Sequence, residues 1–342
     1  METSFTKYFN KALRYFRPFD WVNVEITSKC NLKCTICPRR SFKSCDEHMT
    51  RDLFLKIARE FGLFKMVDLT GWGEPLLHPD IFEFIKKAKD KKCIVKFTTN
   101  GQALDEAKTQ KLVELGVDWM AFSVDGATEE TYKKIRGASL EKLLNNIERL
   151  NYFKEKYSTG SPLIDIAIVI NKQNLEDLPK MVQMAKDLKA HRLLVNQQHV
   201  VSREEEIDLL LYKIDEQQCI DVQKRDNIVK ESRALAQKLG VTIEFCFKSF
   251  EPQAPGLCPL NIEKTMFISW DGNVSPCCDL GHPVPGVISR NKIIQNTQLV
   301  IGNVNNNTIK EIFNSSKYKE FRKISREAVA SECRHCMLLR GI

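Results

Sequence analysis

Long apolar runs are missing from this chain: none approaches the roughly 20 residues that a bilayer-spanning helix needs. A secretory signal is missing too, because Lys7, Lys11 and Arg14 interrupt any apolar stretch near the N-terminus. Without one, the 12 cysteines do not read as an extracellular disulfide framework; they read as metal or redox ligands in a reducing cytoplasm. Runs of one charge are also absent. The 52 lysines and arginines lie among 44 acids, so the net charge of +8 describes a solvated surface and excludes a concentrated nucleic-acid footprint. It remains compatible with a substrate bearing phosphate or carboxylate. No internal repeat or low-complexity tract stands out.

What is present is an alternation of short apolar runs and amphipathic helical patterns. Residues 1–20 carry Phe5, Tyr8, Phe9, Tyr15 and Phe16 at roughly helical spacing, which suggests a short helical extension packed on the main body. Strands are expected at 22–26, 66–70, 93–98, 119–124, 163–170 and 192–195. Helices are expected between them. Thr50 caps the first, which runs to Phe61 and stops at Gly62, and Asp80 with Glu83 has the form of a capping box. Asp105, Ser139 and Asn174 open three more. Six strand–helix units in sequence argue for an α/β fold with parallel strands and crossover helices, a partial (β/α)6 barrel over residues 21–200. Such folds place their sites at the strand C-termini. Residues 201–240 are polar and read as a connector, helical from about 215 to 239. Residues 241–342 form a small cysteine-rich domain.

Cys30, Cys34 and Cys37 follow the first strand with the spacing C-x3-C-x2-C. Three thiolates bind three irons of a 4Fe–4S cube and leave the fourth iron open to a small molecule, whereas an electron-carrying cluster usually has four cysteines. Thr70-Gly71-Trp72-Gly73-Glu74-Pro75 follows the second strand, where glycines let backbone approach a ligand. Asn100-Gly101 follows the third, Ser123-Val124-Asp125-Gly126 the fourth, Asn171 the fifth, and residues 196–199 (Asn, Gln, Gln, His) the sixth. A single such loop is a plain turn; a series of them on one rim, joined to the cysteines, is a site.

Over residues 21–200 this pattern resembles the radical S-adenosylmethionine (SAM) superfamily. The cysteine run and a Gly-Gly-Glu-Pro-like motif carry the resemblance, with Trp72 in the second glycine position, its ring expected to point away from ligand. The resemblance implies that Cys30, Cys34 and Cys37 hold a 4Fe–4S cluster whose open iron binds SAM. By position, Gly71, Gly73 and Glu74 lie by the methionyl group. Asn100, Ser123, Asp125, Arg136 and Asn171 lie around the rest of SAM, Arg136 either pairing with the carboxylate or forming a surface salt bridge. It further implies reductive cleavage to a 5′-deoxyadenosyl radical, with electrons from a donor such as flavodoxin or ferredoxin.

Cys258, Cys277, Cys278, Cys333 and Cys336 form a second group. Asp271-Gly272 reads as the turn of a hairpin bringing Cys258 near Cys277, and Cys333-x2-Cys336 supplies another pair. Four thiolates suit zinc or a complete iron–sulfur cluster. Behind a radical SAM barrel the pattern resembles the SPASM and twitch extensions, implying one auxiliary 4Fe–4S cluster on Cys258, Cys277, Cys333 and Cys336. Adjacent strand residues face opposite ways, so either Cys277 or Cys278 is the ligand, with Cys277 preferred. Cys45, Cys93, Cys219 and Cys246 are expected to be buried free thiols, and His78 structural.

Three readings of the chemistry follow. One is two-electron oxidation of a small sugar- or cyclitol-like substrate, with the auxiliary cluster as electron acceptor and Glu25 or His199 as candidate proton acceptors. The second is modification of a ribosomal peptide; the 29 residues before Cys30 are too few for the peptide-binding domain such enzymes often carry. The third is a non-catalytic metal or redox scaffold.

Overall fold

The computed structural model describes residues 16–42, 46–201, 203–213, 219–283, 285–289, 292–295 and 298–342. The helix expected near the N-terminus, the Cys45 thiol and the start of the 215–239 helix lie outside them. The barrel strands are β1 (Phe19–Val24), β2 (Phe64–Asp68), β3 (Ile94–Thr99), β4 (Trp119–Ser123), β5 (Leu163–Ile170), β6 (Arg192–Gln197) and β7 (Ile243–Phe245). The helices that return between them are α1 (Arg51–Arg59), α2 (Ile81–Asp90), α3 (Glu106–Glu114), α4 (Glu129–Arg136), α5 (Leu140–Lys156), α6 (Leu178–Asp187) and α7 (Val222–Leu239). β1 to β7 pair in sequence order and all in parallel. The stretch read as a connector therefore contains a further crossover: α7 packs on α6 and returns the chain to the sheet as β7.

The cysteine-rich tail does not stand apart. β8 (Thr265–Ile268) pairs in parallel with β1, and β9 (Asn273–Ser275) and β12 (Gly302–Asn303) continue the same sheet, giving the order β12-β9-β8-β1-β2-β3-β4-β5-β6-β7. The short helix α8 (Cys278–Gly281) follows β9, and β10 (Pro285–Ser289) pairs with β11 (Lys292–Gln295) as a separate hairpin. Helices α9 (Ile309–Asn314) and α10 (Ser316–Glu327) precede the last two cysteines. β8 and β9 form the expected hairpin, with Gly272 at φ +85°, a conformation that favours glycine.

Local chemistry accounts for most boundaries. Thr50, Asp105, Thr128, Ser139 and Asp221 each accept a backbone N–H of the first turn of the helix they open. Val22, Val24, Phe64, Val67, Val95, Phe97, Met120, Phe122, Ile166 and Ile168 are buried among the inward faces of the helices, in one continuous core. Three details differ from the sequence reading. The Asp80 side chain does not cap α2, and Glu83 is drawn instead to Arg51, with two contacts of 2.7 Å. Asn174 does not cap a helix either: its amide reaches back to the carbonyls of Asp125 (3.0 Å) and Val169 (3.1 Å), and α6 begins only after a 3-10 turn. α4 was not expected; it is a short helix between Thr128 and the left-handed Gly137.

Candidate functional site

A cavity of about 320 Å³ opens where the barrel strands end. Cys30, Cys34 and Cys37 line one wall. Their loop is held from three sides. Lys29 N–H donates to Thr27 Oγ1 (3.0 Å), Ser28 N–H to the Glu47 carbonyl (2.9 Å), and Thr35 N–H to the Ile135 carbonyl at the end of α4 (2.8 Å). Leu32 N–H points at Cys30 Sγ (3.5 Å), the kind of amide contact that favours charge on sulfur. Burial works the other way and raises the Cys30 thiol, and it pushes Cys37 up to about 11. Three soft sulfurs on one concave wall, with further room beside them, fit a cubic cluster with one open iron.

The second loop packs directly on the first. A Cβ at Gly73 would lie 2.3 Å from the Thr27 carbonyl oxygen and 2.6 Å from that of Lys29; one at Gly71 would lie 2.2 Å from Glu25 Cγ. Both glycines are thus required by contact with the loop and strand that carry the cysteines, in addition to facing the cavity. Glu74 N–H donates to the Lys29 carbonyl (2.7 Å). Its buried carboxylate accepts from Thr99 Oγ1 (2.7 Å), Asn100 N–H (2.7 Å) and Leu76 N–H (3.1 Å). Burial raises its pKa, and these three donors oppose the shift. Trp72 is among the residues lining the cavity, its ring edge-on to Phe42, and its buried indole N–H has no acceptor among the described residues.

Asn100, Ser123, Asp125 and Arg136 also line the cavity. Asn100 Nδ2 donates to Asn31 Oδ1 (2.8 Å) and lies 3.9 Å from Cys30 Sγ. Asp125 is fully buried, accepts from Val169 N–H (2.8 Å), and pairs with Arg136, Nε to Oδ2 2.6 Å. Burial opposes the Arg136 charge, but Asp125 and Cys34 more than restore it, and the guanidinium is held charged beside the thiols. Arg136 is therefore no surface salt bridge. Asn171 is not on the cavity wall; it sits one layer behind, its amide on Gln198 Oε1 (3.2 Å).

Residues 196–199 form the opposite wall. His199 Nε2 faces Asp279 Oδ2 at 3.8 Å; burial lowers the imidazole pKa, the aspartate outweighs it, and the net shift is upward. Glu25 lies just past β1, fully buried, with Oε1 accepting Trp72 N–H (2.9 Å) and Oε2 meeting His282 Nε2 (2.8 Å). Sequence reasoning missed His282, since its partner lies 257 residues away and no local pattern marks it.

In the tail, Cys258, Cys277 and Cys333 surround one small hollow. Cys336 lies near enough to Cys258 and Cys277 for their charges to interact. Burial raises all four thiols, Cys333 to about 12 and Cys336 to about 11. Cys277 is extended and Cys278 begins α8, its sulfur turned to Asp279 Oδ1 (3.6 Å); the two diverge at a helix start, β9 having ended at Ser275. Among the described residues no three His, Cys, Asp or Glu side chains converge on a single point as one ion requires. The other spare thiols divide: Cys93 is buried against the Phe61 carbonyl (3.2 Å), while Cys219 and Cys246 are exposed, one in coil and one just past the edge strand β7. His78 is buried and structural, bonded to the Met49 carbonyl (2.9 Å) and Asp80 N–H (3.0 Å).

Known proteins share both parts. A family model described as the Radical SAM superfamily matches residues 24–199, and one described as an iron–sulfur cluster-binding domain, SPASM, matches residues 258–337. A tungsten-containing aldehyde ferredoxin oxidoreductase cofactor-modifying protein of Pyrococcus furiosus is 29% identical over 93% of this chain and 87% of its own length. A probable GTP 3′,8-cyclase of Methanocaldococcus jannaschii is 26% identical over 77% of this chain and 86% of its own. Among solved structures, Streptococcus suis SuiB bound to S-adenosylmethionine has a TM-score of 0.67 at 15% identity, covering 94% of this chain and 72% of that one.

Proposed function

Because this chain belongs to the radical SAM superfamily and carries a SPASM iron–sulfur domain, we propose that it oxidises a small polar substrate by two electrons. SAM and 4Fe–4S clusters are its cofactors. When bound, they supply a 5′-deoxyadenosyl radical that removes one hydrogen atom, and an auxiliary cluster able to accept the second electron. Cys30, Cys34 and Cys37 would hold the first cluster; Cys258, Cys277, Cys333 and Cys336 would hold the second.

The observation that carries the reading is a cavity lined from the cysteine triad round to His199, a residue that faces the cysteine-rich tail. Its one wall is the cysteine triad; its other wall ends at His199, which faces Asp279, two residues past Cys277. Substrate in that space would meet the SAM side directly and the tail only through His199. The chain's own groups have definite tasks there. Arg136, kept charged by Asp125, would pair with the SAM carboxylate. Gly73 and Glu74, locked to the Lys29 carbonyl, would present backbone to the methionyl end. Asn196 would orient a hydroxyl-rich or amide-bearing substrate, and His199 would accept its proton. The Pyrococcus furiosus relative, which by its name modifies a cofactor, supports a small molecule over a peptide.

Anaerobic reconstitution tests this. About eight irons per chain are expected for two cubes, falling to about four in Cys333→Ala. Reduction with SAM should yield 5′-deoxyadenosine, and Cys30→Ala should abolish it. Incubation with a small-metabolite extract should give a product two hydrogens lighter than its substrate. Four irons with one zinc would overturn the electron-acceptor role, and no 5′-deoxyadenosine at all would overturn the whole reading.

A further inference from the structure

The segment between the tail thiols and the β10–β11 hairpin reaches back onto the barrel at two points. Asp279 meets His199 beyond β6, and His282 meets Glu25 beyond β1. One short helix and the residue after it thus contact the chain beyond both β1 and β6.

The His282 contact is the better built. The imidazole is 7% exposed and Glu25 is 0% exposed. The ring stacks parallel on Phe42, centroids 5.0 Å apart and planes 6° apart, and meets Phe267 at 5.8 Å with planes at 70°. It is thereby held with Nε2 aimed at Glu25 Oε2 at 2.8 Å. The other Glu25 oxygen receives Trp72 N–H, and Gly71 lies so close to Glu25 that no side chain fits between. The chain of contacts runs from the Cys277 segment through His282 and Glu25 to the 71–74 loop.

We infer that His282 is a positioning residue for SAM binding: through Glu25 it fixes the 71–74 loop against the segment that carries Cys277. The inference rests on the reading of that loop as part of the SAM site. A buried carboxylate oxygen that loses its donor must draw in water or shift. Either response loosens the Trp72 amide that the same carboxylate holds, and with it Gly73 and Glu74.

Two substitutions separate a donor from a space-filler. His282→Phe keeps volume and stacking but has no donor; His282→Gln gives up the ring but keeps an N–H. Each full-length, anaerobically reconstituted protein is assayed for iron per chain, melting temperature, and the dissociation constant for SAM by equilibrium dialysis. Wild-type iron is expected in both, with SAM binding about tenfold weaker in the Phe variant and within about twofold of wild type in the Gln variant. Undiminished SAM binding by an iron-replete Phe variant would overturn the inference, as would an equal loss in the Gln variant, which would mark His282 as packing alone. Should the Phe variant lose iron, His282→Met repeats the donor-free test; loss of iron in both, with Gln normal, also overturns a role specific to SAM. Failure of the wild-type protein to bind SAM would instead overturn the reading of the loop.

Discussion

At the scale of single residues, the cysteines and the polar residues that follow each strand were legible in the sequence, because ligand spacing and strand ends are local properties. Their supports were not. Gly73 looks like a ligand-facing glycine, yet the Thr27 and Lys29 carbonyls, 2.3 and 2.6 Å from where a Cβ would be, are an equal reason for it. Gly73→Ala should therefore cost about 1–3 kcal/mol through forced separation of the loops. Denaturant titration checks that, and iron content should fall with it. His78 gives a pH prediction. Burial lowers its pKa from 6.5, and the neutral ring donates to Met49 and accepts from Asp80, with His48 adding to the shift and Asp80 opposing it. Above 6.5 both folded and unfolded chains carry neutral His78; as pH falls through that value the unfolded chain takes up the proton first and stability is lost. Between about pH 7.5 and about pH 5.5 stability should fall as the unfolded chain is protonated ahead of the folded one. His78→Gln should be less stable throughout and flatter with pH over that interval, as melts across the range would show.

At the scale of elements, β5 and the caps at Thr50, Asp105 and Ser139 match their sequence signals, since a cap needs only its own first turn. The capping box at Asp80 fails because Arg51, thirty-two positions away, takes Glu83. Asn174 fails as a cap because tertiary carbonyls claim its amide. α4 escaped notice as a helix of 8 residues with two buried side chains, Tyr132 and Ile135, too few for a clear apolar stripe. It matters out of proportion to its length, because its last residue is Arg136. Thr128→Ala, which removes the N-cap bond to Thr131 N–H, should cost about 1 kcal/mol. Circular dichroism melts test the stability, and because the cap is one short helix away from Arg136, SAM affinity should fall measurably in the same variant.

At the scale of the whole molecule, composition pointed to a barrel and a separate tail, and the alternation of strand and helix was enough to give the order of β1 to β6. Strand pairing across 240 or more positions has no local signature, so the insertion of β8 beside β1, where Val22 meets Met266 and Val24 meets Ile268, was beyond reach. The same holds for β7, three residues long. A sheet that runs from β12 to β7 without a break should unfold as one unit. Metal-free protein is expected to show a single transition, coincident by tryptophan fluorescence and far-ultraviolet circular dichroism. Two separated transitions would mean that tail and barrel are independent.

The pairing of β8 with β1 also sets a timetable. During synthesis the first strand is finished long before Ile268 leaves the ribosome, and until then one edge of a hydrophobic parallel sheet stands bare. The first cysteine loop waits beside that edge, and Glu25, which holds the neighbouring 71–74 loop, still lacks His282. Iron delivered to a nascent chain would meet cysteines beside an unbraced loop; iron delivered after release would meet a braced one, which favours maturation of this protein only once its last strands have closed over its first.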